Sequence, residues 1–92
     1  MNGAWTAEYR SYRGMIQRCT YSKHNRWERY GGRGVRICKE WLNDFPAFLA
    51  YVCRKPTPQH SLDRYPNPDG NYEPGNVRWA TPKEPRANRG LT

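Results

Sequence analysis

Arginine supplies most of the positive charge of this chain, and its chemistry is that of phosphate recognition. The 92 residues carry 16 Lys and Arg against 8 Asp and Glu, and twelve of these cations are arginine. The guanidinium fork donates paired hydrogen bonds to phosphate oxygens and is weakly hydrated, so this bias favours phosphate binding over a role in solubility alone. Residues 1–36 contain eight cationic and two acidic residues, residues 37–81 contain five of each, and residues 82–92 contain three cationic residues and one acidic residue. This uneven distribution predicts a nucleic-acid-binding surface.

Thiols and imidazoles are the other groups with chemistry of their own: Cys19, Cys38, Cys53, His24 and His60. The three cysteines are widely spaced, and no CxxC pair occurs, so we expect neither a disulfide framework nor a structural zinc. The cysteines are instead expected to be small buried residues. There is also no signal peptide, no apolar run of spanning length and no lipidation motif. We therefore expect a cytoplasmic protein with no membrane partner.

A glycine-rich run, Tyr30 to Gly34, places three glycines within four residues. Its backbone amides, beside Arg29, Arg33 and Arg36, are candidates for holding a phosphate. The alternative is a tight turn that leads into a strand. The run lacks the Lys-Ser/Thr of a P-loop, so a nucleoside-triphosphate site is not expected.

Helical periodicity predicts a first helix over Thr6–Cys19, because the apolar residues recur at steps of three and four. Those residues are Trp5, Tyr9, Tyr12, Ile16 and Cys19. We interpret this stripe as core. Arg10, Arg13 and Gln17 fall on another face, which is either a basic ridge that binds phosphate or a solvated surface.

The middle of the chain predicts a strand and a second helix. Alternation over Val35–Cys38 is typical of a short strand. Asn43 or Asp44 can cap a helix that has Pro46 in its first turn and ends near Cys53. Its apolar face consists of Phe45, Phe48, Leu49 and Val52.

The last third predicts the order strand, long loop, strand, helix. The strands are expected at Ser61–Asp63 and Asn76–Trp79, with a Pro-, Gly- and Asn-rich loop over Arg64–Gly75. Thr81 as N-cap, followed by Pro82 and with Glu84 three residues later, predicts a final helix that Gly90 can end. The expected fold class is thus α+β, a small ββα unit with N-terminal helices. We expect one domain over residues 1–92, in which 1–54 support a ββα finger at 59–90.

Several of these runs resemble small phage and prophage proteins of the HNH (His-Me finger) endonuclease family. The resemblance extends from about Tyr12 to Asn88. It is carried by Arg13-Gly14-Met15, Tyr30-Gly31-Gly32-Arg33-Gly34-Val35, Ser61-Leu62-Asp63-Arg64 and Gly70-Asn71-Tyr72-Glu73-Pro74-Gly75-Asn76-Val77-Arg78-Trp79-Ala80-Thr81. The resemblance implies a ββα finger that docks on the phosphate backbone and cuts phosphodiesters with one Mg²⁺ or Mn²⁺.

In active members of that family, a histidine at the end of the first strand deprotonates water. A neighbouring Asp or His, with a later His or Asn, holds the metal. By this resemblance Asp63 lies in the histidine and metal-ligand region, Asn76 matches the central Asn, and Asn88 matches the second metal ligand. The strand end itself has no histidine, and the nearest, His60, lies three residues upstream. His60 is either the catalytic base or a loop residue, and Asp63 either binds metal or pairs with an arginine such as Arg78.

We therefore expect a phage-type nucleic-acid-binding protein in the cytoplasm of a bacterial host. Double-stranded DNA is the favoured partner, and an active enzyme would nick or cleave it. The expected contacts are Arg10, Arg13, Arg29, Arg33, Arg36, Arg64, Arg78, Lys83, Arg86 and Arg89. A second hypothesis keeps the fold without the chemistry, and the protein binds and inhibits a host nucleic-acid-processing or defence protein through anchors such as Trp27 or Tyr65. A ribosome- or RNA-associated module and a merely soluble basic protein also fit this charge.

Overall fold

The computed structural model describes residues 6–81 and 83. The described chain is a small α+β protein with three α-helices and one two-stranded antiparallel sheet. The helices are α1 (Ala7–Thr20), α2 (Lys39–Leu42) and α3 (Phe45–Val52), and the strands are β1 (Ser61–Asp63) and β2 (Arg78–Ala80). Two 3₁₀ turns, Trp27–Arg29 and Gly31–Arg33, connect α1 to α2.

The first helix confirms its prediction to within one residue at each end. It begins where Thr6 accepts a hydrogen bond from the Tyr9 amide at 3.1 Å, which satisfies one of the amides left unpaired in the first turn. Tyr12 and Met15 are buried on its inner face. Tyr9, Ile16 and Cys19 are partly buried against this core, so these members of the stripe are core as predicted, whereas Trp5 lies outside the described residues.

The second predicted helix is α3, and its cap is Asp44, which accepts a hydrogen bond from the Ala47 amide at 3.0 Å. Phe48 is fully buried on its inner face. The preceding short helix, α2, was not predicted, because four residues are too few to show helical periodicity.

The predicted strand over Val35–Cys38 is wrong. Only Ile37 forms a bridge, a parallel one with Tyr72, and the chain enters α2 directly after Cys38. Val35 and Ile37 are buried while Arg36 is exposed, so the alternation reflects real burial. A strand needs a partner of similar length, and the segment around Tyr72 is a loop that supplies a single bridge.

The core is mainly aromatic, and most of it comes from the helices. Its buried members are Tyr12, Met15, Val35, Ile37, Trp41, Phe48 and Tyr72. Trp41 meets Phe48 edge to face with ring centroids 5.3 Å apart, a favoured geometry for aromatic pairs. The Tyr12 hydroxyl donates to the Trp41 carbonyl at 2.6 Å, which satisfies its polar end inside the core.

The hairpin pairs Ser61 with Ala80, Leu62 with Trp79 and Asp63 with Arg78. β1 is confirmed, whereas β2 begins two residues later than predicted because Asn76 belongs to the loop. The hairpin contacts α3 through two hydrogen bonds: the Trp79 indole donates to the Cys53 carbonyl at 2.9 Å, and the Gly75 amide donates to the Tyr51 hydroxyl at 2.7 Å. The predicted final helix lies outside the described residues except for Thr81 and Lys83.

Candidate nucleic-acid interface

An open cleft of about 330 Å³ lies beside α1 and β1 and carries a concentration of arginine. We call it the arginine cleft. Its lining residues are Arg10, Ser11, Gly14, Arg18, Arg26, Tyr30, Ser61 and Leu62. Three of these eight residues are cationic and none is acidic, so the field in the cleft is positive and attracts anions.

Helix α1 places two of the cleft arginines on one side. Arg10, Gly14 and Arg18 follow at intervals of four, which stacks them along one face of the helix. A Cβ added to Gly14 would lie 3.1 Å from Arg18 Nη1. A glycine at this position therefore leaves space for the Arg18 guanidinium group, at the cost of some helix propensity.

Arg18 is held in place by two tyrosines. Its Nη2 donates to the Tyr72 hydroxyl at 3.1 Å, and its guanidinium lies 5.0 Å from the centroid of the Tyr30 ring. Burial raises the pKa of Tyr72, so its phenol is neutral at physiological pH and accepts this bond without carrying charge. Arg18 is therefore a preorganised cation in the lining of the cleft.

Arg64 completes this arrangement, which we call the arginine–tyrosine cluster (Arg18, Tyr30, Arg64 and Tyr72). Its guanidinium lies 5.1 Å from the Tyr30 centroid and 5.4 Å from the Tyr72 centroid, and Nη1 donates to the Gly70 carbonyl at 2.9 Å. Arg64 was predicted to contact DNA. That contact stays a prediction, and in the structure Arg64 contacts two tyrosine rings and a loop carbonyl.

Arg26 differs from Arg18 because it is exposed. Its guanidinium makes no hydrogen bond or ion pair within residues 6–81, although its backbone amide donates to His24 Nδ1 at 3.0 Å. It precedes the first 3₁₀ turn and enters the cleft from a different chain segment than Arg10. Sequence reasoning missed both Arg18 and Arg26. The four-residue spacing from Arg10 could have found Arg18, but no local signal points to Arg26.

The glycine-rich run is a tight turn that uses several of its amides in internal hydrogen bonds. The Arg33 and Val35 amides donate to the Tyr30 carbonyl at 3.0 and 2.9 Å, and the Gly34 amide donates to the Gly31 carbonyl at 3.0 Å. A Cβ on Gly32 would lie 2.9 Å from the Trp27 ring. The glycines are required because Trp27 packs against this backbone. A tight turn is the structure that the sequence offered for this run as the alternative to a phosphate site.

The remaining predicted DNA contacts are dispersed. Arg13 lines a separate cleft with Tyr12 and Phe45, whereas Arg10 lines the arginine cleft. Arg33 pairs with Asp69 at 3.3 Å, and both side chains are at least half exposed, a kind of pair that contributes little. Arg29, Arg36 and Lys83 are exposed. Arg86 and Arg89 lie outside the described residues.

Asp63 forms an ion pair with Arg78, one of the two interactions predicted for it. Arg78 Nε lies 3.3 Å from Asp63 Oδ2, with side-chain exposures of 23% and 16%. The Arg78 guanidinium also lies 3.8 Å from the centroid of Tyr65, whose ring is exposed. Trp27, the other suggested anchor for a protein partner, is half-buried beneath the glycines.

His60 precedes β1 and lies 2.8 Å, by its Nδ1, from the Thr57 hydroxyl. Within the described residues no hydrogen bond joins it to Asp63. The two residues flank Ser61 and Leu62, however, and these two line the arginine cleft. Both catalytic candidates are thus sequence neighbours of residues that line the cleft, but no hydrogen bond joins the two within the described residues.

Asn76 holds the loop between the strands. Its Oδ1 accepts from the Asn67 amide at 2.8 Å, and its Nδ2 donates to the carbonyls of Asn67 at 3.0 Å and Asn71 at 2.9 Å. Asn76 is buried, so these three bonds satisfy groups that have no access to water. The residue assigned as the central Asn has a positioning role in this loop.

The two residues that the resemblance implies as metal ligands are Asp63 and Asn88. Asp63 offers one carboxylate, which already faces a guanidinium, and Asn88 lies outside the described residues. Over residues 6–81 and 83, no three His, Cys, Asp or Glu side chains come together as a ligand group. Cys19 and Cys38 are half-buried and Cys53 is exposed. Burial raises the pKa of Cys19 to about 11.

Comparison with family models, with curated proteins and with solved structures finds no match to this chain. In the part of the chain that the structure describes, no helix has the length and apolar character needed to cross a membrane.

Proposed function

We propose that this protein binds the phosphate backbone of nucleic acid, with double-stranded DNA favoured, and that the arginine cleft is the centre of the contact. The observation that carries the proposal is the convergence of Arg10, Arg18 and Arg26 on one cleft whose lining contains no acid. These cations come from two chain segments, so their proximity is a property of the fold. The antiparallel hairpin with its long loop supports the HNH-like ββα unit that we propose as its finer architecture.

The exposed arginines extend this surface. Arg29 and Arg36 make no side-chain hydrogen bond or ion pair within residues 6–81, so binding phosphate does not require breaking an internal contact. Each phosphate neutralised by an arginine releases condensed counterions, and affinity for duplex DNA then falls steeply as salt rises. A protein that is basic but has no binding surface would show weak affinity that depends only on its total charge.

Salt-dependent binding of a labelled DNA duplex tests the proposal. Two double variants remove the same charge: Arg10→Gln with Arg26→Gln in the cleft, and Lys39→Gln with Arg54→Gln outside it. The cleft variant should lose roughly one unit of slope in log K against log salt for each phosphate contact removed. The control variant should keep most of the wild-type slope.

Equal loss in the two double variants would show that total charge, and not the cleft, drives binding. Absence of duplex binding at low salt by the wild type would refute the proposal itself. Thermal unfolding of both variants checks that the fold is intact.

DNA nicking is the second candidate function, favoured by the position of His60 and Asp63 on either side of the β1 residues that line the cleft. Supercoiled plasmid incubated with Mg²⁺ or Mn²⁺ tests it. Asp63→Ala and His60→Ala should abolish nicking if these side chains act, and Asp69→Ala is a control for loss of an exposed carboxylate. Plasmid that stays intact with both metals removes the enzyme hypothesis and leaves the binding proposal in place.

The protein-partner hypothesis depends on the exposed Tyr65 ring, which covers Arg78. A pull-down from bacterial lysate treated with nuclease distinguishes it from DNA binding. A partner retained by the wild type after nuclease treatment and lost with Tyr65→Ala would support this hypothesis. Loss of all partners on nuclease treatment would count against it.

A further inference from the structure

We infer that the arginine cleft binds a single unpaired nucleotide, so that the protein prefers a duplex that contains an unpaired base over a continuous duplex. This inference rests on the proposed function and names the form of nucleic acid that the same site takes. Three properties of the cleft carry it: its size, its mixed lining and the fixed position of one cation.

The size of the cleft matches one nucleotide. Its volume of about 330 Å³ is at the lower end of small-molecule sites, which span roughly 300–1,000 Å³. A DNA duplex is far too wide to enter and contacts only the rim. A nucleotide that has left the base stack can enter, and a base that is already unpaired does so without the cost of breaking a pair.

The lining combines groups for both parts of a nucleotide. Arg10 and Arg26 supply charge for a phosphate, and both are exposed. Tyr30 and Leu62 supply apolar surface for a base or sugar, and Ser61 supplies a hydroxyl. A surface that only neutralised a duplex backbone would need the cations but not the Tyr30 and Leu62 side chains.

Arg18 is fixed before any ligand arrives, because Tyr72 and Tyr30 hold its guanidinium by a 3.1 Å hydrogen bond and a 5.0 Å ring contact. A side chain that is already ordered loses little entropy when it binds, so it contributes more to affinity than a mobile surface arginine. Guanidinium planes also stack on unpaired bases in nucleic-acid complexes. Arg18 is thus suited to contact the nucleotide within the cleft.

Fluorescence anisotropy with two labelled duplexes of identical sequence tests the inference, one continuous and one with a single-nucleotide bulge. The bulged duplex should bind on the order of tenfold more tightly, the scale of one stacked or contacted base. Arg26→Gln should remove most of this preference. The matched control, Arg29→Gln, removes the same charge three residues away and outside the cleft, and it should weaken both duplexes equally and keep the preference.

A competition experiment separates a nucleotide site from a phosphate site. A nucleoside monophosphate should displace the bulged duplex at a lower concentration than inorganic phosphate does, because only the former reaches Tyr30 and Leu62.

Equal affinity for the two duplexes would overturn the inference and leave duplex binding standing, as would equal competition by the two small molecules. If the protein binds neither duplex at low salt, the proposed function itself is refuted. Circular dichroism of both variants excludes misfolding as the cause of a lost preference.

Discussion

The helical part of the molecule (residues 7–52) and the hairpin with its loop (residues 61–80) are ordered by different physics. In the helical part, aromatic rings pack edge to face or at tilted angles around Phe48 and Trp41, and the core has few polar groups. In the hairpin loop, a buried amide on Asn76 and the guanidinium of Arg64 donate to backbone carbonyls. One region is stabilised mainly by the removal of apolar surface from water, and the other by satisfying buried polar groups.

This contrast explains how a short, arginine-rich chain maintains a long loop. The hairpin strands are three residues each, which is too short for independent stability. Arg18 and Arg64 take part in the loop's order because they stack on Tyr30 and Tyr72 and so connect the two regions. Part of the positive charge therefore stabilises the fold; of these two arginines, Arg18 also lines the arginine cleft, whereas Arg64 does not.

The largest effect is expected in the helical part. Phe48→Ala removes a fully buried ring and should lower the free energy of unfolding by about 3–5 kcal/mol. Chemical denaturation measures this loss. Ala50→Ser on the exposed face of the same helix is the control and should change stability by less than about 0.5 kcal/mol. A small effect of Phe48→Ala would show that the aromatic core does not carry the stability of this region.

Asn76→Ala should have a smaller and more local effect. It leaves the Asn67 amide and the Asn71 carbonyl without partners, while the Asn67 carbonyl keeps its bond from the Gly70 amide, and the cost should be about 1–3 kcal/mol. Hydrogen exchange should accelerate at loop amides such as that of Asn67, while the α1 amides keep their protection. Uniform acceleration across both regions would mean that they unfold as one unit and would remove the distinction between them.

Alkaline pH should weaken the helical part through Cys19, which packs against the core. Burial raises the pKa of its thiol from the ordinary 9.0 to about 11, so the unfolded chain loses this proton at lower pH than the folded one. Its contribution to stability is present below pH 9 and is lost as the pH rises toward 11. Cys19→Ala should flatten the stability profile over this window. A profile that Cys19→Ala leaves unchanged would exclude the thiol as the source.

The smallest effect is expected where α1 meets the segment that leads to the hairpin. Glu8 accepts a hydrogen bond from the Lys55 amide at 2.8 Å, and this bond is the main cause of the lowered pKa of Glu8. Its stabilising contribution is present above the ordinary pKa of 4.5 and is lost as the pH falls through the lowered value. Glu8→Gln should cost about 1 kcal/mol at neutral pH and reduce the acid dependence of thermal unfolding. An acid profile identical to wild type would contradict this assignment.

Local signals predicted the elements that depend on local interactions. The Asp44 cap and the spacing around Phe48 are contained within α3, and the β1 strand is bounded by its own turn residues. The strand expected at Val35–Cys38 was wrong because its pairing depends on Tyr72, which lies far along the chain and offers one bridge. For the candidate site, Arg10 was predicted as a nucleic-acid contact, which stays a prediction, and the structure shows that it is exposed and lines the cleft. Its neighbours in the cleft were not foreseen.

Composition and spacing alone establish that the chain is rich in arginine, that it forms an aromatic core, and where α1, α3 and β1 lie. Tertiary structure is needed to tell which arginines make internal contacts and which are exposed. Arg18, Arg64 and Arg78 make such contacts, whereas Arg26 and Arg29 are exposed. Charge and helical periodicity are properties of short segments, so the sequence displays them directly. A guanidinium group's partners, by contrast, are rings and carbonyls that folding brings from distant parts of the chain.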